Sequence, residues 1–290
     1  MSAIYMVNPL TEYHGLVDGS PHRFSTDIRR MVKIQKKMLE KYDFLPEKAY
    51  AVVDWIERHC ILPSGENAGK QVKLLLWQKW VIFSIFGFWG YFEENAYDEI
   101  GNKIGTQKKY LRVVNDILMV IASGNSKTTF MGFLNSYILY ARDAYSSARI
   151  YIGSNAQVQS KLCYDATQRI LQSNKTLNKL ARIVPSLNII EVPKINSMLM
   201  AMSRDGSNFE GIIPTNIIID ETHEMKTSKY ADDLRKSVKR DDSFVFQTTT
   251  MGTVRGGYLD NRLEYSEKNT IRRNGKSPLF LLHFPPRQRR

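Results

Sequence analysis

LRVVNDILMVIA (residues 111–122) runs directly into SGNSKTT (123–129), and a helical apolar pattern, 127–141, follows at once. An apolar strand that ends in small residues and opens a helix leaves backbone N–H groups without intrahelical partners. Those groups, together with the helix dipole, make a cradle for phosphate oxygens. Such a loop also needs a lysine to reach the outer phosphates and a hydroxyl to hold Mg²⁺. Lys127 and Thr128 supply both, and Gly124, Asn125, Ser126 and Thr129 complete the candidate nucleotide-binding set. The strict pattern wants glycine at 121 and 126, where this chain has Ile121 and Ser126. Read alone, the stretch is equally a Ser/Asn-capped helix start with a solvated lysine.

A second stretch narrows the choice. TNIIIDE (215–221) is an apolar strand ending in two adjacent carboxylates. Ligands of open α/β sheets sit outside the carboxyl ends of the strands. There Asp220 can hold Mg²⁺ through water, and Glu221 can orient and deprotonate a water aimed at a γ-phosphate. The bland alternative is a strand that ends in an acidic helix cap. The order decides: a Lys-Thr loop on one strand–helix turn and Asp-Glu on another, 93 positions later, point to a nucleotide-hydrolysing site.

The surrounding texture agrees. Near-continuous apolar runs at 148–154, 197–203 and 243–250 alternate with helical patterns at 127–141, 156–173 and 229–239. That alternation implies an α/β fold with a mostly parallel sheet and helices on both faces. Upstream, 25–43 and 45–61 read as amphipathic helices, the first capped by Ser25 or Thr26, and 1–24 as a loop-rich arm. Residues 62–70 read as a turn-rich linker, 73–92 as a largely buried helix and 93–107 as a hairpin or loop. WVIFSIFGFWGYF (80–92) is 13 residues long, too short to span a bilayer.

Three smaller signals surround the core pair. Thr248, Thr249 and Thr250 end the last core run, where hydroxyls can sense a γ-phosphate; β-propensity alone also favours threonine there. Gln78, in LLLWQKW, offers a donor and an acceptor that match the edge of adenine, or is one polar residue on a core helix. His223-Glu224 opens like a zinc-protease motif, but Thr227 stands where the second histidine belongs, so the metal reading fails. The THEM segment (222–225) then caps the next helix or lines the site.

Composition sets the frame. The chain has 290 residues, 41 Lys+Arg against 29 Asp+Glu, and a net charge of +12. Residues 271–290 carry six basic residues and no acid, so 1–270 carry 35 − 29 = +6, and half the basicity belongs to the last 20 residues. Charge is therefore weak evidence for nucleic acid. Cys60 and Cys163 form neither a metal cluster nor a disulfide framework, which indicates a reducing compartment. The N-terminus has no secretory signal pattern.

Taken in order, WQKW around Gln78, the deviant loop at 121–129, YIGSNAQVQSKLCYDA, NFEGIIPTNIIIDETHEM and TTTMGT resemble the ATPase domain of tailed-phage terminase large subunits, over roughly residues 30–265. The resemblance implies a P-loop NTPase fold, RecA-like, of the additional-strand, conserved-glutamate type, preceded by a helical N-terminal segment. It divides the chain into an N-terminal arm and helices (1–70), an ATPase core (71–265) and a basic tail or linker (266–290), without the family's C-terminal nuclease domain, so DNA cleavage is not expected of this chain. It implies ATP and Mg²⁺ as cofactors. Gln78 would contact adenine, Lys127 and Thr128 the phosphates and metal, Asp220 and Glu221 would form the acidic pair, with Asp220 a metal ligand, and Thr248–Thr250 would couple hydrolysis to movement. Implied partners are double-stranded DNA, a portal protein, a small terminase subunit and further copies of the chain in a ring, with no membrane, in a host cytoplasm. Many terminases carry an arginine in the loop, where this chain has Ser123 and Gly124; Arg255 and Arg204 are the candidate arginine fingers. A helicase-like ATPase and a non-catalytic nucleotide-binding remnant stay open as alternatives.

Overall fold

A computed structural model describes residues 7–100, 102–141, 147–202, 212–238, 243–268 and 279–284. The first helix, α1 (Pro9–Gly19), lies inside the segment read as a loop-rich arm. Asn8 builds it: its side-chain oxygen accepts the N–H groups of Leu10 and Thr11, and Pro9 occupies the first turn. Its buried stripe is only Leu10, Tyr13, His14 and Val17, too short and too mixed for a periodicity reading to isolate. Helix α2 (Thr26–Lys41) starts on Ser25 as expected and buries Ile28, Met31, Val32, Ile34 and Met38. A short strand, β1 (Asp43–Phe44), precedes α3 (Pro46–His59), which hides Ala49, Val52, Val53 and Ile56.

The expected long helix at 73–92 is a helix followed by a strand. Helix α4 covers Leu76–Phe86, and β2 covers Phe88–Tyr97. Gly87 marks the break. A Cβ there would stand 2.6 Å from the Phe44 ring and 2.6 Å from the Phe83 carbonyl oxygen. Beyond it the aromatic run pairs as β-structure, to which aromatic residues are well suited. β2 runs antiparallel to β3 (Lys103–Arg112), so the expected hairpin at 93–107 is a longer ribbon edged by β1. α4 is the anchor for the N-terminal helices. Tyr13 stacks on Trp80 with centroids 4.3 Å apart. Gln35 accepts from Trp80 Nε1 at 2.9 Å and donates to Ser84 Oγ at 2.7 Å.

The run 111–122 divides as well. Its first part closes β3, and Asp116–Ile121 forms β4 of the main sheet. The following elements are α5 (Lys127–Tyr140), β5 (Arg149–Ser154), α6 (Gln157–Ser173), α7 (Lys175–Leu180), β6 (Arg182–Val184), β7 (Ile189–Val192), β8 (Ser197–Ala201), β9 (Asn216–Asp220), α8 (Lys229–Ser237), β10 (Phe244–Thr249), α9 (Tyr258–Lys268) and β11 (Leu279–Phe284). The eight-stranded sheet has the order β11-β4-β10-β9-β5-β8-β7-β6. Neighbours from β11 to β8 run parallel; β7 and β6 are antiparallel. Within 266–290, read above as a basic tail, β11 pairs with β4 along its whole length.

Both faces are covered. Ile150, Ile152, Ile218, Phe244 and Phe246 pack in one core with Phe130, Leu134 and Ile138 of α5 and Ile170 of α6. Tyr151, Ile217, Ile219 and Val245 pack with Ala231 and Leu234 of α8 and Tyr258 of α9. α5 and α6 approach closely at Gly132, where a Cβ would meet Ile170 Cδ1 at 2.6 Å. The strand order sets β10 between β4 and β9, so the ends of the Lys-Thr strand, the threonine strand and the Asp-Glu strand lie side by side.

The other end of these strands carries a buried charge network absent from the sequence reading. Asp116 Oδ2 accepts from Arg235 at 2.6 Å and Arg262 at 2.7 Å; Oδ1 accepts from Gln247 Nε2 at 2.7 Å. Gln247 in turn accepts from the Tyr258 hydroxyl at 2.7 Å. The network ties α8 and α9 to the sheet. Removing one partner of a buried pair costs about 3–5 kcal/mol, because the other charge stays uncompensated. Asp116→Ala is expected to lower stability by about that amount in urea unfolding. A loss below about 1 kcal/mol would show that the network does not fasten those helices.

Candidate active site

The loop after β4 is exposed and built on two left-handed residues. Gly124 has φ +81° and Ser126 φ +58°. Asn125 Nδ2 closes the loop by donating to the Ala122 carbonyl at 3.1 Å. Ser126 thus adopts the conformation that glycine would take, so the missing glycine changes the residue and not the backbone path. It makes no side-chain cap bond to α5, contrary to the capped-helix alternative. The first-turn N–H groups of α5 therefore stand at the mouth of the loop without a capping side chain, with Lys127 as the first helical residue.

Lys127 reaches across to the end of β9. Its Nζ donates to Glu221 Oε1 at 2.6 Å and lies 3.6 Å from Asp220 Oδ1. Asp220 is buried, and its Oδ1 also accepts from the Thr248 hydroxyl and, at 3.0 Å, from the Glu221 N–H. Burial pushes the Asp220 carboxyl above the usual aspartate range; the Lys127 charge and the Thr248 bond oppose it without cancelling it. Glu221 has φ +51°, a left-handed conformation rare for a long side chain. Strain of this kind collects where a side chain must be aimed. Here it accompanies a carboxylate that meets Lys127 rather than continuing the strand.

His223, on the turn that follows, connects the acidic pair to β10. Its backbone N–H donates to Thr249 Oγ1 at 3.0 Å, and its Nδ1 is 2.9 Å from the same oxygen and 3.1 Å from Glu221 Oε2. Thr250 Oγ1 lies 3.4 Å from Nδ1. Glu224 accepts from Gln159 Nε2 of α6 at 2.5 Å. The THEM segment is a turn beside the acidic pair and not a cap on α8, whose N-cap residue is Ser228. Gln159 went unnoticed, because no local signal links it to a residue 65 positions away.

The structure gathers Lys127, Asp220, Glu221 and Thr248 into one contact set, with Thr249 and Thr250 joined to it through His223. Thr128 and Thr129 are half-buried in the first turn of α5. Gln78 is buried; its Oε1 accepts from the Leu75 N–H at 2.9 Å and so caps α4. Trp77 beside it meets Phe130 of α5 edge-on at 5.4 Å, which ties the start of α4 to the start of α5. Arg255 is mostly exposed and donates to the Gly252 carbonyl at 3.0 Å. Arg204 lies outside the described residues.

Residues 77–268 match the family model described as terminase large subunit, ATPase domain. The chain is 26% identical over 176 residues to the terminase large subunit of Enterobacteria phage HK97, which covers 60% of this chain and 30% of that protein. The crystal structure of the HK97 bacteriophage large terminase superposes with a TM-score of 0.64 at 18% identity, over 84% of this chain and 45% of that one. The likeness in structure is one of fold, and the chain spans less than half the length of these relatives.

The Asp220 carboxyl supplies a pH test. Its folded value stands above the ordinary 3.8, so between the two values the folded state binds more protons than the unfolded one. This group's contribution to stability therefore falls as pH rises through that window. Lys127→Met removes the cation and pushes the carboxyl further up. The substitution is expected to cost about 3–5 kcal/mol above the window, where Asp220 is ionised, and distinctly less near its acid end, where Asp220 is neutral. Urea unfolding of both proteins at two pH values measures this; equal losses would show that the pair contributes no charge compensation.

Proposed function

Because the chain belongs to the terminase large subunit ATPase-domain family, we propose that it is the ATP-hydrolysing module of a viral motor that moves double-stranded DNA into a procapsid. The observation that carries this reading is the Lys127–Glu221–Asp220 cluster, which joins the phosphate-type loop to the acidic strand end across 94 positions. The proposed division keeps 1–70 as a helical N-terminal part and 71–265 as the ATPase core, to which β11 adds an edge strand.

In this reading the loop 123–126 and the first N–H groups of α5 bind the phosphates. The Thr128 hydroxyl and the Asp220 carboxylate are hard oxygen donors of the kind Mg²⁺ takes, and the buried, Thr248-pinned carboxylate suits a cation. When bound, the ion neutralises charge on the outer phosphates. Lys127 moves from Glu221 to the γ-phosphate, which releases the carboxylate as base. Glu221 then orients a water and takes its proton as the oxygen attacks phosphorus. Thr248 feels any change at Asp220 directly and passes it along β10. Gln78 has its carbonyl engaged in the α4 cap, so adenine would be met by its Nε2 as donor.

The γ-phosphate still needs a second positive charge, which Ser123 and Gly124 cannot supply. We assign it to an arginine of a neighbouring copy in a ring, with Arg255 first, since its guanidinium is 65% exposed beside the coupling segment, and Arg204 second. Double-stranded DNA, a portal protein, a small terminase subunit and a host cytoplasm complete the setting. Nothing in the loop geometry favours the non-catalytic alternative, because Ser126 keeps the left-handed conformation.

Phosphate release by the purified chain with Mg²⁺ and DNA is the test. Glu221→Gln is expected to retain bound ATP yet hydrolyse it about 10²–10⁴-fold more slowly, the range for loss of a positioned base. Lys127→Ala is expected to weaken ATP binding. Specific activity is expected to rise with protein concentration and to lose that rise in Arg255→Ala. Wild-type turnover in Glu221→Gln would assign the base elsewhere, and concentration-independent activity in a monomer would remove the neighbour's arginine.

A further inference from the structure

His223 was set aside as a metal ligand and has no part in the steps above, yet it is the side chain that touches both the acidic pair and the coupling strand. Its surroundings favour one tautomer. A threonine hydroxyl has one proton to give and two lone pairs to fill. Thr249 Oγ1 donates its proton to the Thr250 carbonyl at 3.0 Å and accepts from the His223 backbone N–H at 3.0 Å. One acceptor position remains, and His223 Nδ1 sits 2.9 Å away. With the Thr249 proton on the Thr250 carbonyl, the Nδ1–H tautomer completes the pairing, and it also sets a donor rather than a lone pair toward the Glu221 carboxylate. The same N–H lies 3.1 Å from Glu221 Oε2, an oxygen that is buried and has no hydrogen bond of full geometry.

The ring is held in that pose from below. A Cβ on Gly252 would stand 2.2 Å from His223 Cδ2 and 2.7 Å from Cγ, so glycine there is the floor on which the imidazole rests. Glu221 thus accepts a hydrogen bond at Oε1, from Lys127 at 2.6 Å, and has the His223 ring nitrogen 3.1 Å from Oε2. With Lys127 drawn away by a phosphate, the His223 ring remains beside the carboxylate, and it is anchored on Thr249 of β10.

We propose that His223, as its Nδ1–H tautomer, is the positioning residue that holds Glu221 in register with Thr249, so that the general base and the coupling strand move together. This rests on the ATPase reading for its consequence in turnover, but not for the tautomer. Asparagine places an amide near Nδ1, whereas glutamine places it near Nε2. His223→Ala is therefore expected to lower kcat by about 10²-fold, as a misaimed reacting group does, with the KM for ATP changed little. His223→Asn is expected to recover most of the loss and His223→Gln little of it. Thr249→Val and Gly252→Ala are expected to lower kcat in the wild type and to add nothing in the His223→Ala background.

Thermal unfolding of each variant separates loss of fold from loss of aim. Turnover of His223→Ala at the wild-type rate, equal rescue by asparagine and glutamine, or additive losses with Thr249→Val would each overturn the proposal. Nitrogen-15 shifts of the His223 ring test it without activity: a protonated Nδ1 is expected, and a protonated Nε2 with bare Nδ1 would overturn it. A wild-type chain that hydrolyses no ATP would sink the ATPase reading instead, and leave the ring measurement to decide this one.

Discussion

Lys127 holds two carboxylates that belong to a different part of the chain, and the rest of the site is arranged around that contact. Asp220 is buried, and a buried carboxylate without compensation is expensive. The lysine, 93 positions earlier, supplies the compensation, and Thr248 and the Glu221 N–H add hydrogen bonds to the same oxygen. A charge so placed is cheap to keep while Lys127 stays and costly once it leaves. Once a ligand draws Lys127 away, Asp220 takes up either a proton or another cation. In the proposed reading that cation is the Mg²⁺ that accompanies the phosphates.

The sheet makes this contact possible. β10 lies between β4 and β9, and Thr248 is in register with Asp220 and with Met119. Side chains alternate faces along a strand. Thr248 therefore shares a face with Asp220, toward α5, while Thr249 points to the other face and meets His223. Neighbouring threonines of one strand thus read two different groups of the site. At the far end, Asp116 binds Arg235 and Arg262 and ties α8 and α9 to the same strands. The ends of β4 and β10 are fixed at one side by charge and at the other by the site.

β4, β5, β8, β9 and β10 and the helices α5, α6 and α8 were legible because their apolar runs are long and their punctuation is clear, whereas the short α7, β6 and β7 between 175 and 192 carry no such run. The meeting of Lys127 with Asp220 and Glu221 was legible because one opens the helix after β4 and the others end β9, at the same edge of the sheet. What stayed hidden was of two kinds. Local breaks inside apolar stretches, at Gly87 and at 113–115, depend on which ring or strand the chain meets, as the Phe44 contact shows. Partnerships over long separations, such as Gln159 with Glu224 or Asp116 with Arg262, leave no periodic trace at all. His223 was visible, and Thr227 excluded it as a zinc-protease motif, but its neighbours Thr249 and Glu221 are set by the fold and not by the motif. β11 was read as tail because six basic residues of 271–290 outweigh the short apolar run PLFLLHF between them.

The central claim is that Lys127 exchanges Glu221 for a phosphate. A crystal structure of the chain with Mg²⁺ and a non-hydrolysable ATP analogue measures this directly. Lys127 Nζ is expected on a phosphate oxygen, the ion between Thr128 and Asp220, and Glu221 Oε1 free of the lysine and facing a water near the γ-phosphate. A nucleotide bound elsewhere, or bound at the loop with the 2.6 Å Lys127–Glu221 contact intact, would contradict it.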